Sequence, residues 1–328
     1  MDKVEDIERR VRPAAGVTVI IVTYNSAPHI ASCLASVPQD LSVVVLDNAS
    51  GDNTLDALSR TGRQITLIRS DENLGFAAGV NRAARAVQSP FLLLLNPDAR
   101  LGPDTVERLA RAMADVPDLA IAGAISRDEG GAFRRTSGFR AATCRALLFA
   151  ALGLRALFPS SPFFDPQSVA RDLASAGPGP FAVDVVPGAC MMIRRGAWER
   201  LGGFDTRFFM YSEDADLCAR ARAAGLGVAL IPGAEFTHEE GASARSRAEM
   251  FCQLFAGEIA WQKTHGGPGA ARCAPSLLKL HVLVRRLVAA VAPHRAATDW
   301  AAVWARRADW SRGYQAAAPS AASGGKIT

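Results

Sequence analysis

The sequence predicts an α/β fold in which a mostly parallel central sheet is flanked by helices and followed by a helical C-terminal extension. Apolar runs rich in β-branched residues alternate with helical patterns through the first 125 residues, which is typical of βαβ units. Several of these runs end in polar clusters, as expected where a parallel sheet binds its ligand. From residue 245 onward the pattern is helical.

The first half of the chain contains short, strongly apolar segments separated by helical ones. The predicted strands are 17–22, 42–46, 65–69, 91–95 and 119–125, and the predicted helices are 26–37, 53–59, 76–87 and 104–114. In the first helix, Ser26 suits the N-cap and Pro28 suits the first turn. Runs that are apolar throughout indicate strands buried on both faces of the sheet.

The second half is less regular. Residues 126–182 are interpreted as a variable insertion that holds one helical stretch, 141–158. Beyond it, the predicted strands are 183–186, 190–194 and 226–231, the predicted helices are 197–201 and 213–224, and 236–243 is a polar loop. We expect Ser212 to cap the second of these helices and Gly225 to end it.

Composition places the chain among ordinary globular proteins. Hydrophobic residues make up 49% and charged residues 21%, which excludes a disordered or fibrous chain. The six cysteines lie at least 21 residues apart, so no zinc motif is present, and buried reduced thiols are expected. Residues 1–13 lack the apolar core of a signal peptide, and no apolar run reaches the length of a membrane span.

Charge is distributed unevenly. The segment from Arg245 to the C-terminus holds 12 Lys/Arg and 4 Asp/Glu, a net +8, whereas the first 244 residues hold 25 basic and 28 acidic residues, a net −3. A basic tail on an acidic body favours a polyanion or an anionic membrane surface as partner. Nucleic acid is not indicated, because no known binding motif is present.

Four groups of polar residues could carry chemistry, and each has a structural alternative. Asp98 follows Pro97 and suits either a turn or a divalent metal ion. The pair Asp47 and Asn48 suits an Asx-type turn or a nucleotide edge. Glu213, Asp214 and Asp216 suit a helix N-terminus or a general base. His238 is either a surface group or a metal ligand with Glu239 or Glu240 in support.

Six motifs follow one another along the chain: VTVIIVTYNS, VVVLDNASGD, ENLGFAAGVN, LLLLNPD, PGACMMIRRGAWERLGGFDTRFFMYSEDADLCARARAAG and HEEGAS. In this order they resemble the family-2 glycosyltransferases of GT-A fold, and most closely the bacterial rhamnosyltransferase-like branch. The resemblance covers about residues 16–265. It implies inverting transfer of rhamnose or a related hexose from a nucleotide-diphosphate sugar to an acceptor hydroxyl.

The resemblance also implies roles for individual residues. Asp214 would be the catalytic base, and Asp98 and His238 would hold a magnesium or manganese ion. Asn96 stands where the DxD motif of the family has its first Asp. Residues expected to contact the nucleotide or donor are Thr23, Tyr24, Asn25, Asp47, Asn48, Asn73, Gly75 and Asn96, and those on the acceptor side are Gly188, Ala189 and Glu213.

The predicted organisation follows from these assignments. Residues 1–15 form an N-terminal extension, and 16–265 form the GT-A catalytic domain, divided into a nucleotide-binding half (16–125), the insertion (126–182) and an acceptor half (183–265). A basic amphipathic extension (266–315) and a disordered tail (316–328) complete the chain.

The expected partners are a dTDP- or UDP-linked sugar and a glycan or lipid-linked acceptor, and the expected location is the cytoplasm, at the inner face of the membrane. Residues 277–312 combine an apolar helical stripe with basic residues and tryptophans. This segment either binds an anionic membrane surface or packs on the catalytic domain. The helix 147–158, flanked by Arg145 and Arg155, is a second candidate for a surface contact.

Two other functions compete with transfer. A nucleotidyltransferase that makes sugar nucleotides shares this kind of sheet, but it usually opens with a Gly-rich basic loop, whereas here residues 23–26 read TYNS. A non-catalytic module that binds sugar nucleotides or membranes would have no need of Asp98, Asp214 and His238 together.

Overall fold

The computed structural model describes residues 16–159, 161–239, 246–292 and 298–314. The predicted extension 1–15, the predicted tail 316–328 and Glu240 lie outside these ranges. The strands are β1 (Val17–Thr23), β2 (Ser42–Asp47), β3 (Thr66–Arg69), β4 (Phe91–Leu95), β5 (Ala99–Leu101), β6 (Leu119–Arg127), β7 (Phe181–Ala182), β8 (Cys190–Arg194) and β9 (Gly227–His238).

The helices alternate with the strands and then continue alone. They are α1 (Ile30–Ser36), α2 (Thr54–Arg60), α3 (Gly75–Ala84), α4 (Thr105–Asp115), α5 (Cys144–Ala151), α6 (Leu154–Leu157), α7 (Ala170–Ala174), α8 (Arg195–Leu201), α9 (Glu213–Ala223), α10 (Arg247–His265), α11 (Gly267–Val291), α12 (Trp300–Ala305) and α13 (Arg307–Trp310). A short 3₁₀ turn occupies Arg135–Ser137.

All nine strands belong to one sheet, in the order β3-β2-β1-β4-β8-β6-β9-β5, with β7 paired to β9. The neighbours β1–β2, β1–β4, β2–β3 and β6–β9 are parallel, whereas β8 is antiparallel to both β4 and β6. Since β5 and β7 are antiparallel to β9, six strands run one way and three run the other. The carboxyl ends of the six therefore meet at one edge, together with the start of β8.

Both faces of the sheet are buried, which explains the continuous apolar runs. In β1, Val19 and Ile21 join the core with helices α1 and α4, while Ile20 and Val22 join the core with helices α3, α8 and α9. Alternate side chains of one strand thus enter opposite cores. The predicted α/β class is confirmed.

Several predicted elements differ from the structure. Helix α1 begins at Ile30, and Ser26 does not cap it, because its hydroxyl accepts a hydrogen bond from the Tyr24 N–H instead. The predicted helix 141–158 is divided at Gly153, which has a φ of +76°. Ser212 has a φ of +70° and makes no side-chain cap for α9.

The strand predictions also need correction. Residues 183–186 are not a strand: Val185 makes only an isolated bridge to Phe139, and β7 lies just before it. Residues 236–238, predicted as loop, extend β9, because the unpredicted strand β5 pairs with them. This extension carries His238 into the sheet.

The C-terminal helices have a small core of their own. Phe255, Ile259, Leu278, Val303 and Trp310 are buried there against one another. Cys144 of α5 and Cys273 of α11 are paired as a disulfide, so the expectation that all six cysteines are free thiols is wrong for this pair. The other four are buried and free, as predicted.

Candidate active site

The ends of β1 and β2 are joined by hydrogen bonds around a buried carboxylate. Asp47 accepts from the Thr23 hydroxyl at 2.9 Å, from the Ser50 hydroxyl at 2.6 Å and from the Ser50 N–H at 3.1 Å. Asn25, in the left-handed region at a φ of 52°, donates its N–H to Ser50 and accepts from the Gly51 N–H through its side chain. Tyr24, which lies between Thr23 and Asn25 in the sequence, is half-buried. The two loops therefore form one rigid rim at the edge of the sheet.

A third loop is fixed to the same rim by Asn48. Its amide nitrogen donates to the Gly75 carbonyl at 2.9 Å, and its amide oxygen accepts from the Leu74 N–H at 3.2 Å. The Asn73 side chain accepts from the Gly75 N–H at 2.9 Å. Because Gly75 has a φ of +79° and a Cβ there would lie 2.3 Å from the Phe209 carbonyl oxygen, only glycine fits.

His238 meets Asn96 and Asp98 at the carboxyl end of β4. The His238 Nε2 atom lies 3.1 Å from Asp98 Oδ1 and 3.3 Å from Asn96 Nδ2. Pairing of β5 with β9 sets Ala99 opposite His238, and the Glu239 N–H donates to the Asp98 carbonyl at 3.1 Å. Both members of the pair are largely shielded, with side-chain exposures of 6% for Asp98 and 14% for His238.

The Asp98–His238 pair fits a divalent ion whose remaining ligands come from the substrate. Within the described ranges no three His, Cys, Asp or Glu side chains are grouped to hold a metal. Asp98 and His238 offer one carboxylate and one imidazole, and magnesium or manganese commonly takes its other ligands from phosphates and water. Glu239 is not the predicted support of His238, because its carboxylate lies 3.2 Å from Arg100 and 3.3 Å from His29.

Asp214 lies in the first turn of α9 with both oxygens engaged by backbone donors. Oδ2 accepts from the Gly188 N–H at 3.0 Å, and Oδ1 accepts from the Ala215 N–H at 2.7 Å. Burial raises the pKa of Asp214, and these two N–H groups partly oppose that shift. The side chain is half-buried, so an acceptor hydroxyl could reach it.

Residues 188–189 connect Asp214 to the segment that carries Asn96 and Asp98. While Gly188 donates to Asp214, the Ala189 carbonyl accepts from the Asn96 N–H at 3.0 Å. A Cβ on Gly188 would lie 3.1 Å from the ring of Phe76, which follows Gly75. The structure therefore brings the rim of residues 23–25, 47–48 and 73–75, the Asp98–His238 pair and Asp214 to one edge of the sheet.

The neighbouring acids of α9 have other surroundings. Glu213, predicted on the acceptor side, is 5% exposed, and its Oε2 has no hydrogen-bond partner among the described residues. Burial, with the nearby charges of Asp214 and Asp216, raises the pKa of Glu213 well above its ordinary value. Asp216 is paired with Arg220 and His265, each at 2.7 Å. Only Asp214 combines partial exposure with proximity to the Asp98–His238 pair.

Sequence reasoning missed two residues of this edge. Ser50 holds Asp47 and Asn25 together, and its place within the DNASGD motif was the available signal. Phe209 accepts from the Phe76 N–H at 2.8 Å and so fixes the loop before α9 against the start of α3. No local pattern marked that contact, because it depends on packing between distant segments.

The structure is similar to a mannosyltransferase from Pyrobaculum calidifontis that was solved with GDP-Man and Mn²⁺. The TM-score is 0.53 at 22% sequence identity, with 89% of this chain and 79% of that chain covered. The sheet, its polar edge and this likeness define the class: the protein has the GT-A fold of nucleotide-sugar glycosyltransferases.

Comparisons with known sequences identify the family within this class. Residues 18–176 match the family model "Glycosyl transferase family 2". An N-acetylglucosaminyl-diphospho-decaprenol L-rhamnosyltransferase from Mycobacterium tuberculosis is 30% identical over 239 residues, which are 68% of this chain and 75% of that protein. A low-salt glycan biosynthesis hexosyltransferase from Haloferax volcanii is 25% identical over 227 residues, 68% and 67% respectively. The chain belongs to glycosyltransferase family 2.

Proposed function

We propose that this glycosyltransferase moves rhamnose or a related hexose from a dTDP- or UDP-linked donor to a hydroxyl of a lipid-linked or polysaccharide acceptor, with inversion at the anomeric carbon. The observation that carries the proposal is the hydrogen-bonded link through residues 188–189, which joins Asp214 to the backbone of Asn96, two residues before Asp98. The name of the mycobacterial relative, which describes rhamnosyl transfer to a diphospho-decaprenol, supports the sugar and the acceptor class.

In this proposal Asp214 acts as the base. It takes the proton of the acceptor hydroxyl, whose oxygen forms a bond to the anomeric carbon while the bond from that carbon to the diphosphate breaks. A single displacement inverts the configuration. The raised pKa of Asp214 makes it a stronger base than an exposed carboxylate, and the Gly188 and Ala215 N–H groups hold its orientation.

Asp98 and His238 would hold the divalent ion. When bound, such an ion neutralises charge on the departing diphosphate. The amide nitrogen of Asn96 lies 3.3 Å from the same Nε2 atom of His238 that approaches Asp98, so Asn96 also lines the proposed ion site. With Asn in the first DxD position, the chain offers one carboxylate here, so the phosphates themselves would complete much of the coordination.

The nucleotide would lie on the rim formed by residues 23–25, 47–48 and 73–75. Because Thr23 and Ser50 already hold the Asp47 carboxylate, we propose that Asp47 presents a fixed edge for the base. Preorganised polar groups of this kind select a ligand without the entropic cost of ordering a loop.

The first experiment is thermal unfolding with dTDP, UDP and GDP, each with and without Mn²⁺. Binding to the native state raises the apparent stability, and we expect dTDP or UDP to do so in a Mn²⁺-dependent way. The Mn²⁺-dependent part should vanish in Asp98→Asn and persist in the exposed control Asp104→Asn. Stabilisation by GDP alone would overturn the donor assignment, and an unchanged Asp98→Asn response would overturn the metal assignment.

Product analysis tests the reaction itself. NMR of the glycosidic linkage should show the configuration opposite to that of the donor sugar. A retained configuration would contradict single displacement by Asp214. Release of pyrophosphate from dTTP or UTP with a sugar 1-phosphate would instead indicate a nucleotidyltransferase, and nucleotide binding without any transfer would indicate a non-catalytic module.

We also propose that the enzyme works in the cytoplasm at the inner face of the membrane, with residues 277–312 contributing to an anionic-membrane contact. A lipid-linked acceptor and the basic C-terminal segment support this location. Among the residues that the structure describes, no helix has both the length and the apolar character needed to cross a bilayer.

A further inference from the structure

Two segments distant in sequence form one end of the molecule. Helix α5 packs along α11, and the Cys144–Cys273 disulfide joins them near their N-terminal ends. Further along, a Cβ at Gly153 would lie 3.9 Å from a guanidinium nitrogen of Arg285. The end of α5, helix α6 and the end of α11 therefore lie side by side.

This end exposes large apolar side chains. Leu157 is 70% exposed, Leu287 67% and Val291 81%. Leu148, Leu152, Leu283 and Val288 on or beside α5 and α11 are also exposed, as are Phe158 and Phe163 in the segment that follows α6. We call these nine residues the apolar tip. A set of this size on adjoining helices is uncommon on the surface of a protein that has no partner there.

The aromatic residues of the tip are held in a cluster. Phe149 lies 5.3 Å, centroid to centroid, from both Phe163 and Phe164, and Phe158 stacks on Phe164 at 4.7 Å. The Arg145 guanidinium lies 5.6 Å from the Phe163 ring centroid. The exposed rings are thus presented on a fixed platform.

The charged residues on the helices that carry the apolar tip are all basic. Residues 144–158 and 267–291 contain six Lys or Arg residues, namely Arg145, Arg155, Arg272, Lys279, Arg285 and Arg286, and no Asp or Glu. The nearest acid along the insertion, Asp165, is buried and paired with Arg135 and Arg155. Arg155 is therefore neutralised, and the other five cations have no acid on these two segments. Exposed apolar residues flanked by such cations complement an anionic lipid surface.

We propose that the apolar tip inserts into an anionic phospholipid bilayer and that the flanking arginines bind its headgroups. Within residues 277–312 the contact is limited to the exposed side chains of the tip, since Leu278 and Val282 are buried and Trp310 is 2% exposed. Trp300 packs against Phe251 at 4.6 Å. Half of α11 thus stabilises the protein, and its last turns contact the membrane.

The tip is connected to the acceptor side of the site, and in this respect the inference rests on the proposed function. Ala141 and Ala142, which lead into α5, pack in one cluster with Ala215, the neighbour of Asp214. The Ala141 N–H donates to Asp184 at 2.8 Å, and Gln262 donates to the Ala142 carbonyl at 3.0 Å. The segment that leads into the tip therefore packs beside the acceptor side of the site.

The test is sedimentation of the full chain with vesicles of phosphatidylcholine alone and with 30% phosphatidylglycerol. We expect binding to the anionic vesicles that weakens at high salt, because surface charge attraction is screened. The double variant L157E/L287E should bind at least tenfold more weakly, since two apolar side chains no longer enter the bilayer. Val116→Glu, which replaces an exposed apolar residue outside the tip, should bind like the wild type.

Several results would overturn the inference. These are equal binding of the wild type and L157E/L287E, equal binding to both vesicle types, or a dimer in solution that the double variant dissociates while neither protein binds vesicles. Nucleotide-dependent stabilisation, measured on the same variants, should be unchanged. Vesicle binding by a protein that shows no such stabilisation would refute the proposed function and leave the membrane contact standing.

Discussion

Replacing Asp214 with Asn tests the proposed base most directly, and the structure shows what the replacement costs. The two carboxylate oxygens accept from two different N–H groups, those of Gly188 and Ala215. An Asn side chain has one accepting oxygen, so one N–H group would face the amide NH₂. Leaving a donor unsatisfied costs about 1–3 kcal/mol when it is buried, and we expect the lower end because Asp214 is half-buried.

The expected loss of sugar-transfer activity is far larger than this small loss of stability. Removal of a general base typically lowers the rate about 10²–10⁴-fold, whereas the lost hydrogen bond leaves the protein folded. Asp214→Asn should therefore unfold at a slightly lower temperature, still be stabilised by its nucleotide, and release nucleoside diphosphate at least about 100-fold more slowly in the presence of acceptor.

The assay compares initial rates of nucleoside diphosphate release with thermal unfolding for three proteins. Asp214→Asn is measured beside the wild type and beside Asp172→Asn, an exposed acid of the insertion whose loss should leave both quantities unchanged. Asp214→Ala, which leaves both N–H groups to water, should be as inactive as Asp214→Asn. If either Asp214 variant retains a rate within about tenfold of the wild type, Asp214 is not the base.

Three further predictions concern stability. Because burial raises the pKa of Glu213 above 4.5, the folded state binds more protons than the unfolded state, so stability should fall as pH rises from about 4.5 through the folded pKa. Glu213→Gln should remove this pH-dependent contribution to stability. Thermal unfolding of the wild type and the variant at about pH 5 and about pH 8 measures it, and an equal change in unfolding temperature for both proteins would contradict the argument. Gly75→Ala combines a φ of +79° with a contact to the Phe209 carbonyl and should lower the free energy of unfolding in urea by at least about 2 kcal/mol. The control is Gly177→Ala, because a Cβ at Gly177 would meet nothing within 4 Å. An equal loss of stability in the two variants would refute the claim that position 75 requires glycine. Tyr314→Phe loses a hydrogen bond from the phenol to the Met210 carbonyl at 2.7 Å and should cost about 1 kcal/mol in the same urea measurement; an unchanged midpoint would show that this bond contributes nothing.

The sequence by itself determined the strands of the first half and the polar residues that follow them. Residues 17–22 and 91–95 are apolar except for Thr18, because both of their faces are buried. This pattern indicated buried strands. The parallel arrangement then required residues 23–25 and 47–48 to share an edge. Those inferences needed only local patterns and the rule that parallel strands end together.

Only the tertiary structure decided which distant residues meet. His238 reaches Asp98 because the unpredicted strand β5 pairs with the end of β9, and a three-residue strand carries too few side chains to be recognised in sequence. The Cys144–Cys273 pairing and the apolar tip depend on how α5 packs along α11. Such contacts are set by register and packing between segments more than 100 residues apart, which no local periodicity encodes.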